Sequence, residues 1–237
     1  MTETVLKDRI ALITGASRGI GRAVALELAA AGAHVIAVAR TEGGLTELDD
    51  DINAIGGSAT LVPLDLRDFD AIDRLGAAVF ERWKKLDILI GNAGLLGNLG
   101  PMSHISPDDW QIMTDINLTA NWRLIRSFDV LLRQSDAGRA IFVTSGAARY
   151  CKAYWGGYAV TKAALDAMVK VYAAELADTN VRVNLLNPGP IATGLRAKAF
   201  PGEDPSTIAQ VEDLAPLFVQ MASPDYDKNG QIIDFQS

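Results

Sequence analysis

Apolar residues recur along the chain in short runs, and longer stretches with helical spacing separate these runs. The runs are rich in Val, Ile, Leu and Ala, and they predict strands at 10–13, 35–39, 60–64, 86–90, 140–143, 181–186 and 232–235. The stretches between them predict helices at roughly 20–31, 42–55, 69–84, 107–133, 157–177 and 213–222. Because strand and helix alternate throughout, the pattern predicts an α/β fold. The expected architecture is a single doubly wound domain over 1–237, with a seven-stranded, mainly parallel sheet and helices on both faces.

The helix predicted at 107–133 has a marked start and is apolar on more than one side. Ser106 can cap its free amides, Pro107 suits its first position, and two aspartates follow where the helix dipole favours them. The apolar positions are Trp110, Met113, Ile116, Leu118, Trp122, Leu124, Ile125 and Leu132. This distribution predicts burial on two sides of the helix.

Composition narrows the classes of protein. Hydrophobic residues make up 49% of the chain and charged residues 22%, which is typical of a packed globular core. The net charge of −7 disfavours nucleic acid and anionic membranes as partners. No apolar run approaches the length of a membrane span, and the polar start has no signal-peptide core, so we expect a cytoplasmic protein. One cysteine, Cys151, and two histidines, His34 and His104, predict neither an internal disulfide nor a metal site.

A glycine-rich turn follows the first predicted strand, with the sequence Thr14-Gly15-Ala16-Ser17-Arg18-Gly19-Ile20-Gly21. A strand, a glycine-rich turn and a helix start form the anion site of Rossmann-like folds, because bare glycines let a pyrophosphate approach and the helix dipole favours its charge. The alternative is a tight turn without a ligand. The position of the turn after a buried strand favours the anion site.

A second group of polar residues lies further along the chain. Ser145 follows the fifth predicted strand, and Tyr158 and Lys162 stand four residues apart on one helix face. A free phenol has a pKa of about 10, so a nearby cation is needed to make tyrosine an acid-base catalyst. Taken singly, the serine is more typical of a helix cap, the tyrosine of packing and the lysine of a solvated surface. Taken together at the carboxyl ends of the strands, they favour a catalytic site.

These residues and three further motifs resemble the short-chain dehydrogenase/reductase family over nearly the whole chain. Thr14-Gly15-x-x-x-Gly19-x-Gly21 resembles its cofactor loop, and Asn92-Ala93-Gly94 resembles the motif after its fourth strand. Asn117, Ser145, Tyr158 and Lys162 resemble its catalytic tetrad. Pro188-Gly189, followed by Thr193, resembles its nicotinamide-side loop.

The resemblance implies a role for each residue of the tetrad. Tyr158 would be the general acid in reduction and the base in oxidation, and Ser145 would hold the substrate oxygen. Lys162 would bind the nicotinamide ribose and lower the pKa of Tyr158. Asn117 would carry a water of a proton relay, since an amide both donates and accepts hydrogen bonds.

The resemblance also implies a set of cofactor-binding residues. Asp65 and Leu66 would flank the adenine, and Asn92-Ala93-Gly94 would lie against the adenosine ribose. The full set is Gly15, Ser17, Arg18, Gly19, Ile20, Gly21, Arg40, Asp65, Leu66, Asn92, Ala93, Gly94, Tyr158, Lys162, Pro188, Gly189, Ile191 and Thr193.

The residue after the second predicted strand indicates which dinucleotide binds. NAD enzymes of this architecture carry an acidic residue about 20 positions past the glycine loop, where it binds the ribose 2′-hydroxyl. Arg40 stands there in this chain, and together with Arg18 it can pair with a 2′-phosphate. Glu42 would favour NAD if it pointed inward, but its place at a helix start favours an outward role. We therefore expect NADP(H).

The substrate end departs from the common family pattern. Only 18 residues separate Gly194 from Asp213, so little room remains for a lid, and the proline-marked stretch 200–205 predicts a loop. An insert at 95–101 follows the fourth predicted strand. Near the mouth, Tyr150, Tyr154 and Trp155 can contact substrate or pack against neighbouring segments.

The expected function is hydride transfer between NADP(H) and a small carbonyl or alcohol substrate, with 3-oxoacyl-thioester reduction as the specific reaction that the resemblance suggests. The alternative is a non-catalytic NADP-binding sensor on the same fold. The complete tetrad favours the enzyme. By resemblance, the helices at 107–133 and 157–177 would pair with their copies, through Trp122 and Met168, in a homodimer or homotetramer.

Overall fold

The computed structural model describes residues 4–236, whose strands form one parallel sheet. The strands are β1 (Ile10–Thr14), β2 (His34–Ala39), β3 (Ser58–Pro63), β4 (Ile88–Gly91), β5 (Arg139–Val143), β6 (Arg182–Asn187) and β7 (Ile232–Asp234). Their order is β3-β2-β1-β4-β5-β6-β7, and each neighbouring pair is parallel. The predicted sheet is therefore confirmed. Chain order reverses direction between β1 and β4, which makes the carboxyl ends of these two strands the topological switch point.

The α-helices in residues 4–236 connect these strands. They are α1 (Gly19–Ala30), α2 (Glu42–Ala54), α3 (Phe69–Trp83), α4 (Pro107–Thr114), α5 (Ala120–Arg133), α6 (Gly146–Tyr150), α7 (Gly156–Glu175), α8 (Gly194–Ala199) and α9 (Val211–Ala222). Short 3₁₀ turns span Met102–His104 and Pro205–Thr207. The sequence pattern did not predict α6 and α8, because helices of five or six residues show no apolar periodicity.

The helix predicted at 107–133 is interrupted. Its first part is α4, where the Ser106 side chain accepts a hydrogen bond from the Asp109 amide as the capping pattern predicted. A π-helical turn, Asp115–Thr119, then joins α4 to α5. A π turn inserts one extra residue into the helical repeat and is often found at functional sites.

The alternation of side chains along β1 divides the core into two layers. Ala11 and Ile13 pack on the side covered by α1, α2 and α9, while Ile10 and Leu12 pack on the side covered by α3, α5 and α7. Each face of the sheet is therefore buried, which explains why the strands read as continuous apolar runs.

Hydrogen bonds from Thr14 join the carboxyl ends of β1 and β4. Its hydroxyl donates to the Ile90 carbonyl and accepts from the amides of Asn92 and Ala93, each at 3.1 Å. The Asn92 side chain donates to the Thr14 carbonyl at 2.9 Å. These bonds hold the glycine-rich turn and the segment after β4 side by side.

In the described part of the chain, no helix is long and apolar enough to cross a membrane. Among the same residues, no group of three His, Cys, Asp or Glu side chains is placed to hold a metal ion.

Candidate active site

A cavity of about 550 Å³ opens at the carboxyl ends of the central strands. The predicted residues that line it are Gly15, Ser17, Arg18, Gly19, Ile20, Arg40, Asp65, Leu66, Asn92, Ala93, Gly94, Ser145, Tyr158, Lys162, Pro188, Gly189, Ile191 and Thr193. Loops separated by more than 170 residues of sequence thus meet around one space. Two residues of the predicted set, Gly21 and Asn117, are not part of the lining.

The glycine-rich turn provides one wall. Gly15 and Gly19 adopt positive φ angles of 70° and 56°, which side chains rarely tolerate. Gly21 is required for packing within the protein. A Cβ atom there would lie 2.2 Å from the Gly15 carbonyl oxygen and 2.6 Å from the Asn92 side-chain nitrogen, so this glycine lets α1 pack against the protein's own loop. Its contact with a cofactor stays a prediction.

Ser145 and Tyr158 meet on the opposite wall. Ser145 caps α6, and its hydroxyl accepts a hydrogen bond from the Ala147 amide at 3.2 Å. Tyr158 is buried in the first turn of α7. Burial raises the pKa of Tyr158, and an interaction with the Ser145 side chain opposes this rise. The resemblance implied that Lys162 lowers the pKa of Tyr158. Among the described residues, the effect of burial on this pKa is the largest, and its direction is upward.

Lys162 lies one helical turn beyond Tyr158 and is almost fully buried. Its ammonium group donates to the Val143 carbonyl at the end of β5, at 2.8 Å, and lies 5.9 Å from the centre of the Tyr158 ring. Burial lowers the pKa of Lys162 to about 8, against the opposing effect of Asp166 on the next turn. The ammonium therefore sits between the tyrosine and the sheet.

Asn117 occupies the π turn, but its side chain is already fully engaged as a donor. Its amide nitrogen donates to the Leu95 carbonyl at 2.9 Å and to the Thr161 hydroxyl at 3.0 Å, and its oxygen accepts from the Leu95 amide at 2.8 Å. The side chain thus ties the segment after β4 to α7. Both N–H groups of this amide are therefore engaged within the protein, and the water-carrying role of Asn117 stays a prediction.

The two predicted phosphate-binding arginines lie at the other end of the cavity. Arg18 and Arg40 are exposed, line the cavity and form no ion pair with any residue in 4–236. Glu42 starts α2 and is exposed outside the cavity lining, in agreement with the outward role predicted for it. Asp65 pairs with Arg67 at 2.9 Å, and this interaction lowers the pKa of Asp65.

The mouth of the cavity contains residues that the sequence pattern did not identify. The stretch 200–205, predicted as a loop, follows α8 and leads into the 3₁₀ turn Pro205–Thr207. The start of α8 is capped by the Thr193 hydroxyl. Of the three aromatic residues expected near the mouth, Trp155 lines the cavity, while Tyr150 and Tyr154 are 74% and 65% exposed and do not. The remaining lining residues are Val38, Ala39, Thr41, Leu64, Leu95, Leu96, Ile116, Val143, Thr144, Gly194, Leu195, Arg196, Lys198, Ala199 and Phe200.

Comparison with known proteins gives consistent matches. A sequence model of the family described as short chain dehydrogenase matches residues 9–204. The uncharacterized oxidoreductase YciK of Escherichia coli strain K12 is 37% identical over 238 residues, which cover 99% of this chain and 94% of that protein. A 3-oxoacyl-acyl-carrier-protein reductase of Synechocystis sp. is 34% identical over 193 residues, 81% of this chain and 78% of that protein. A crystal structure of a short chain dehydrogenase from Shigella flexneri, complexed with NADP, matches with a TM-score of 0.95 and 37% identity, covering 99% of this chain and 100% of that one.

The buried position of Lys162 predicts a pH-dependent cost to stability. Since the pKa of Lys162 is about 8 in the folded protein and 10.5 ordinarily, the unfolded chain binds more protons than the folded chain between these pH values. The wild-type free energy of unfolding therefore carries a penalty below pH 8 that is relieved as the pH rises toward 10.5. Lys162→Met removes this penalty. We therefore expect the free energy of unfolding of Lys162→Met, relative to that of the wild type, to be higher by about 2 to 3 kcal/mol at pH 7 than at pH 10.5.

Urea unfolding of both proteins across this pH range measures the difference. Lys170→Met removes an exposed lysine from the same helix and is the control, which should not follow the same course. If the difference in free energy of unfolding between Lys162→Met and wild type stayed constant from pH 7 to pH 10.5, the lowered pKa of Lys162 would be contradicted.

Proposed function

The chain belongs to the short chain dehydrogenase family, and on that premise we propose that it is an NADP(H)-dependent oxidoreductase that transfers hydride between the nicotinamide and a carbonyl or alcohol substrate. The observation that carries this proposal is the meeting of Ser145, Tyr158 and Lys162 on the wall of the cavity that the glycine-rich turn also lines. A hydroxyl, a phenol and an ammonium group are thus available at one place, next to a phosphate-binding turn.

The residues at the cavity fit NADP(H). Gly15 and Gly19, at positive φ angles, form the turn that leads into α1, and the amides and dipole at the start of this helix favour a pyrophosphate. Arg18 and Arg40 supply two cations for a 2′-phosphate. The relative from Shigella flexneri is complexed with NADP, which supports the same choice here.

Each residue of the site has a definite part in the reaction. NADPH, held by the glycine-rich turn with Arg18 and Arg40, would supply the hydride for the substrate carbonyl. The Ser145 hydroxyl orients the carbonyl oxygen, and Tyr158 donates a proton to it, since a raised pKa keeps the phenol protonated at neutral pH. Lys162 binds the cofactor ribose and holds a positive charge near the phenol, which favours the phenolate left after proton donation.

Two further points rest on the same site. A non-catalytic sensor would use the cavity but would have no need of the three side chains next to one another, so we favour the enzyme.

The 34% identity to a 3-oxoacyl-acyl-carrier-protein reductase supports 3-oxoacyl thioesters as one candidate substrate class.

Replacing Tyr158 with Phe tests the proposed chemistry. We expect the rate of carbonyl reduction to fall by about 10² to 10⁴, the usual contribution of general acid catalysis, with NADPH affinity nearly unchanged. Loss of NADPH absorbance with a panel of ketones, aldehydes, acyl thioesters and sugars measures the rate. Tyr172→Phe is the matched control, because Tyr172 lies on the same helix with its hydroxyl bonded to Asp129. Full activity of Tyr158→Phe would refute the assignment.

Replacing Arg40 with Asp tests the choice of dinucleotide. We expect the wild type to bind NADPH at least tenfold more tightly than NADH, since a charge-assisted contact to phosphate contributes about 1.5 to 3 kcal/mol. Arg40→Asp should shift the preference toward NADH. Glu42→Gln should leave it unchanged, because Glu42 lies outside the cavity lining. Fluorescence titration of both dinucleotides measures the affinities, and an unchanged preference in Arg40→Asp would contradict the role of this arginine.

We propose that α5 and α7 pair with their copies in a homodimer or homotetramer. These helices leave Trp122 46%, Val130 60%, Val160 41% and Val171 59% exposed, which supports a covered apolar surface. Met168, the other predicted contact, packs partly against the core of its own chain. Light scattering at micromolar concentration should give a multiple of the 25.3 kDa chain mass, and a monomer would contradict the proposal.

A further inference from the structure

Two aromatic rings form a continuous wall at the mouth of the cavity beside Tyr158. The centre of the Trp155 ring lies 6.2 Å from that of Tyr158 and 5.6 Å from that of Phe200. Both Trp155 and Phe200 line the cavity and are partly buried. A substrate whose carbonyl reaches Ser145 and Tyr158 can therefore place the rest of the molecule against this wall.

The Phe200 ring is held in place by an ion pair behind it. The Arg196 guanidinium carbon lies 3.7 Å from the centre of the Phe200 ring. Arg196 in turn makes two hydrogen bonds to the Glu203 carboxylate, at 2.5 and 2.6 Å, and this pairing lowers the pKa of Glu203. A planar guanidinium held by two parallel hydrogen bonds through Nε and Nη2 cannot rotate freely, so the ring stacked on it has a defined position.

Trp155 is held from the opposite direction by the insert after β4. The amide of Gly100 donates to the Tyr154 carbonyl at 2.9 Å, which forms an isolated parallel bridge between Gly100 and Trp155. The Trp155 carbonyl accepts a hydrogen bond from the Ala159 amide at 2.8 Å, which fixes the backbone of Trp155 against the first turn of α7. The insert and the segment with α8 thus support the two rings of the wall.

The guanidinium beside the wall is already paired within the protein. Arg196 lines the cavity, but its charge is compensated by Glu203. Leu95, Leu96 and Leu195 are also part of the lining. Lys198 in the lining and Lys152, whose ammonium lies 5.9 Å from the centre of the Phe200 ring, are both exposed. Neither has an ion-pair partner within 4–236, so a charged substrate would have to use one of these two solvated cations.

We propose, on the basis of the reductase function proposed above, that the wall of Trp155 and Phe200 selects uncharged carbonyl substrates that carry a flat ring. Aromatic rings prefer offset-stacked or edge-to-face contact with another aromatic ring, and such contact contributes beyond the burial of apolar area. A saturated ring of the same size cannot make it. A sugar would leave hydroxyl groups facing leucines and aromatic rings, and a carboxylate would face a guanidinium already paired.

A matched pair of ketones tests the selection. In 1-phenylpropan-2-one and 1-cyclohexylpropan-2-one the carbonyl is conjugated to neither ring, so the two differ in flatness and little in reactivity. We expect kcat/KM with NADPH to favour the phenyl compound by about tenfold in the wild type. Phe200→Ala should reduce this ratio to below about threefold, while Phe80→Ala, which removes an exposed phenylalanine on α3, should leave it unchanged. An equal or greater preference for the cyclohexyl compound, or a ratio that Phe200→Ala does not lower, would overturn the proposal.

A carboxylated analogue tests the absence of an anion receptor. We expect 4-(2-oxopropyl)benzoate to be a poorer substrate than the neutral phenyl compound by at least about tenfold, and Glu203→Gln to narrow this gap several-fold by freeing Arg196. A wild-type preference for the carboxylate, abolished by Lys152→Ala, Lys198→Ala or Arg196→Ala, would show that the mouth binds anions. A clear preference for 3-oxoacyl thioesters over both ketones would likewise overturn the selection of flat rings.

Binding measurements separate this proposal from the proposed function. Calorimetric titration of the NADP-loaded protein with the phenyl and cyclohexyl ketones needs no turnover. Tighter binding of the phenyl compound, lost in Phe200→Ala, supports the wall even if no ketone is reduced, in which case the reductase function alone fails. Turnover of both ketones with equal affinity supports the reductase function and contradicts the wall.

Discussion

Lys162 places an ammonium group inside the protein, and among the described residues its one hydrogen bond is to the Val143 carbonyl. A buried charge with so few partners is costly, and here the lowered pKa expresses that cost. The bond fixes α7 against the end of β5. Since Ser145 follows two residues after Val143, and Tyr158 precedes Lys162 by one helical turn, the same contact brings the hydroxyl and the phenol together. The remaining N–H groups of Lys162 are free to bind a ligand in the cavity that it lines.

The two ends of the cavity differ in how their arginines are paired. Within residues 4–236, Arg18 and Arg40 at the end near β2 form no ion pair, which suits a phosphate-bearing ligand. At the mouth, Glu203 compensates Arg196, and the partly buried rings of Trp155 and Phe200 line the cavity. A charged cofactor and an uncharged substrate would therefore each find the end that matches it, and the reacting atoms would meet between them at Ser145 and Tyr158.

The sequence predicted the parts of this arrangement that leave a local signal. The alternation of strands and helices predicted the parallel sheet. Because parallel strands bring their carboxyl ends to one edge, the position of residues after the strands predicted a shared site, which was assigned to the glycine-rich turn, Ser145, Tyr158 and Lys162. Gly21 shows the limit of such reasoning, since a missing side chain makes room for a ligand or for the protein's own backbone, and the spacing is the same in both cases. Asn117 shows another, because only the tertiary structure reveals that Leu95 and Thr161 occupy its amide. Phe200 lies in a short irregular segment with no periodicity, so its stacking on Arg196 could not be predicted.

Transfer of deuterium from the cofactor tests the central claim most directly. The protein would be incubated with NADPH dideuterated at the nicotinamide C4 and with the carbonyl compounds of the substrate panel, and the alcohols would be examined by mass spectrometry and proton NMR. Hydride transfer at the Ser145 and Tyr158 site predicts an alcohol with one deuterium on the carbinol carbon. Tight binding of NADPH without a deuterated alcohol from any compound would contradict catalysis and would favour a dinucleotide sensor.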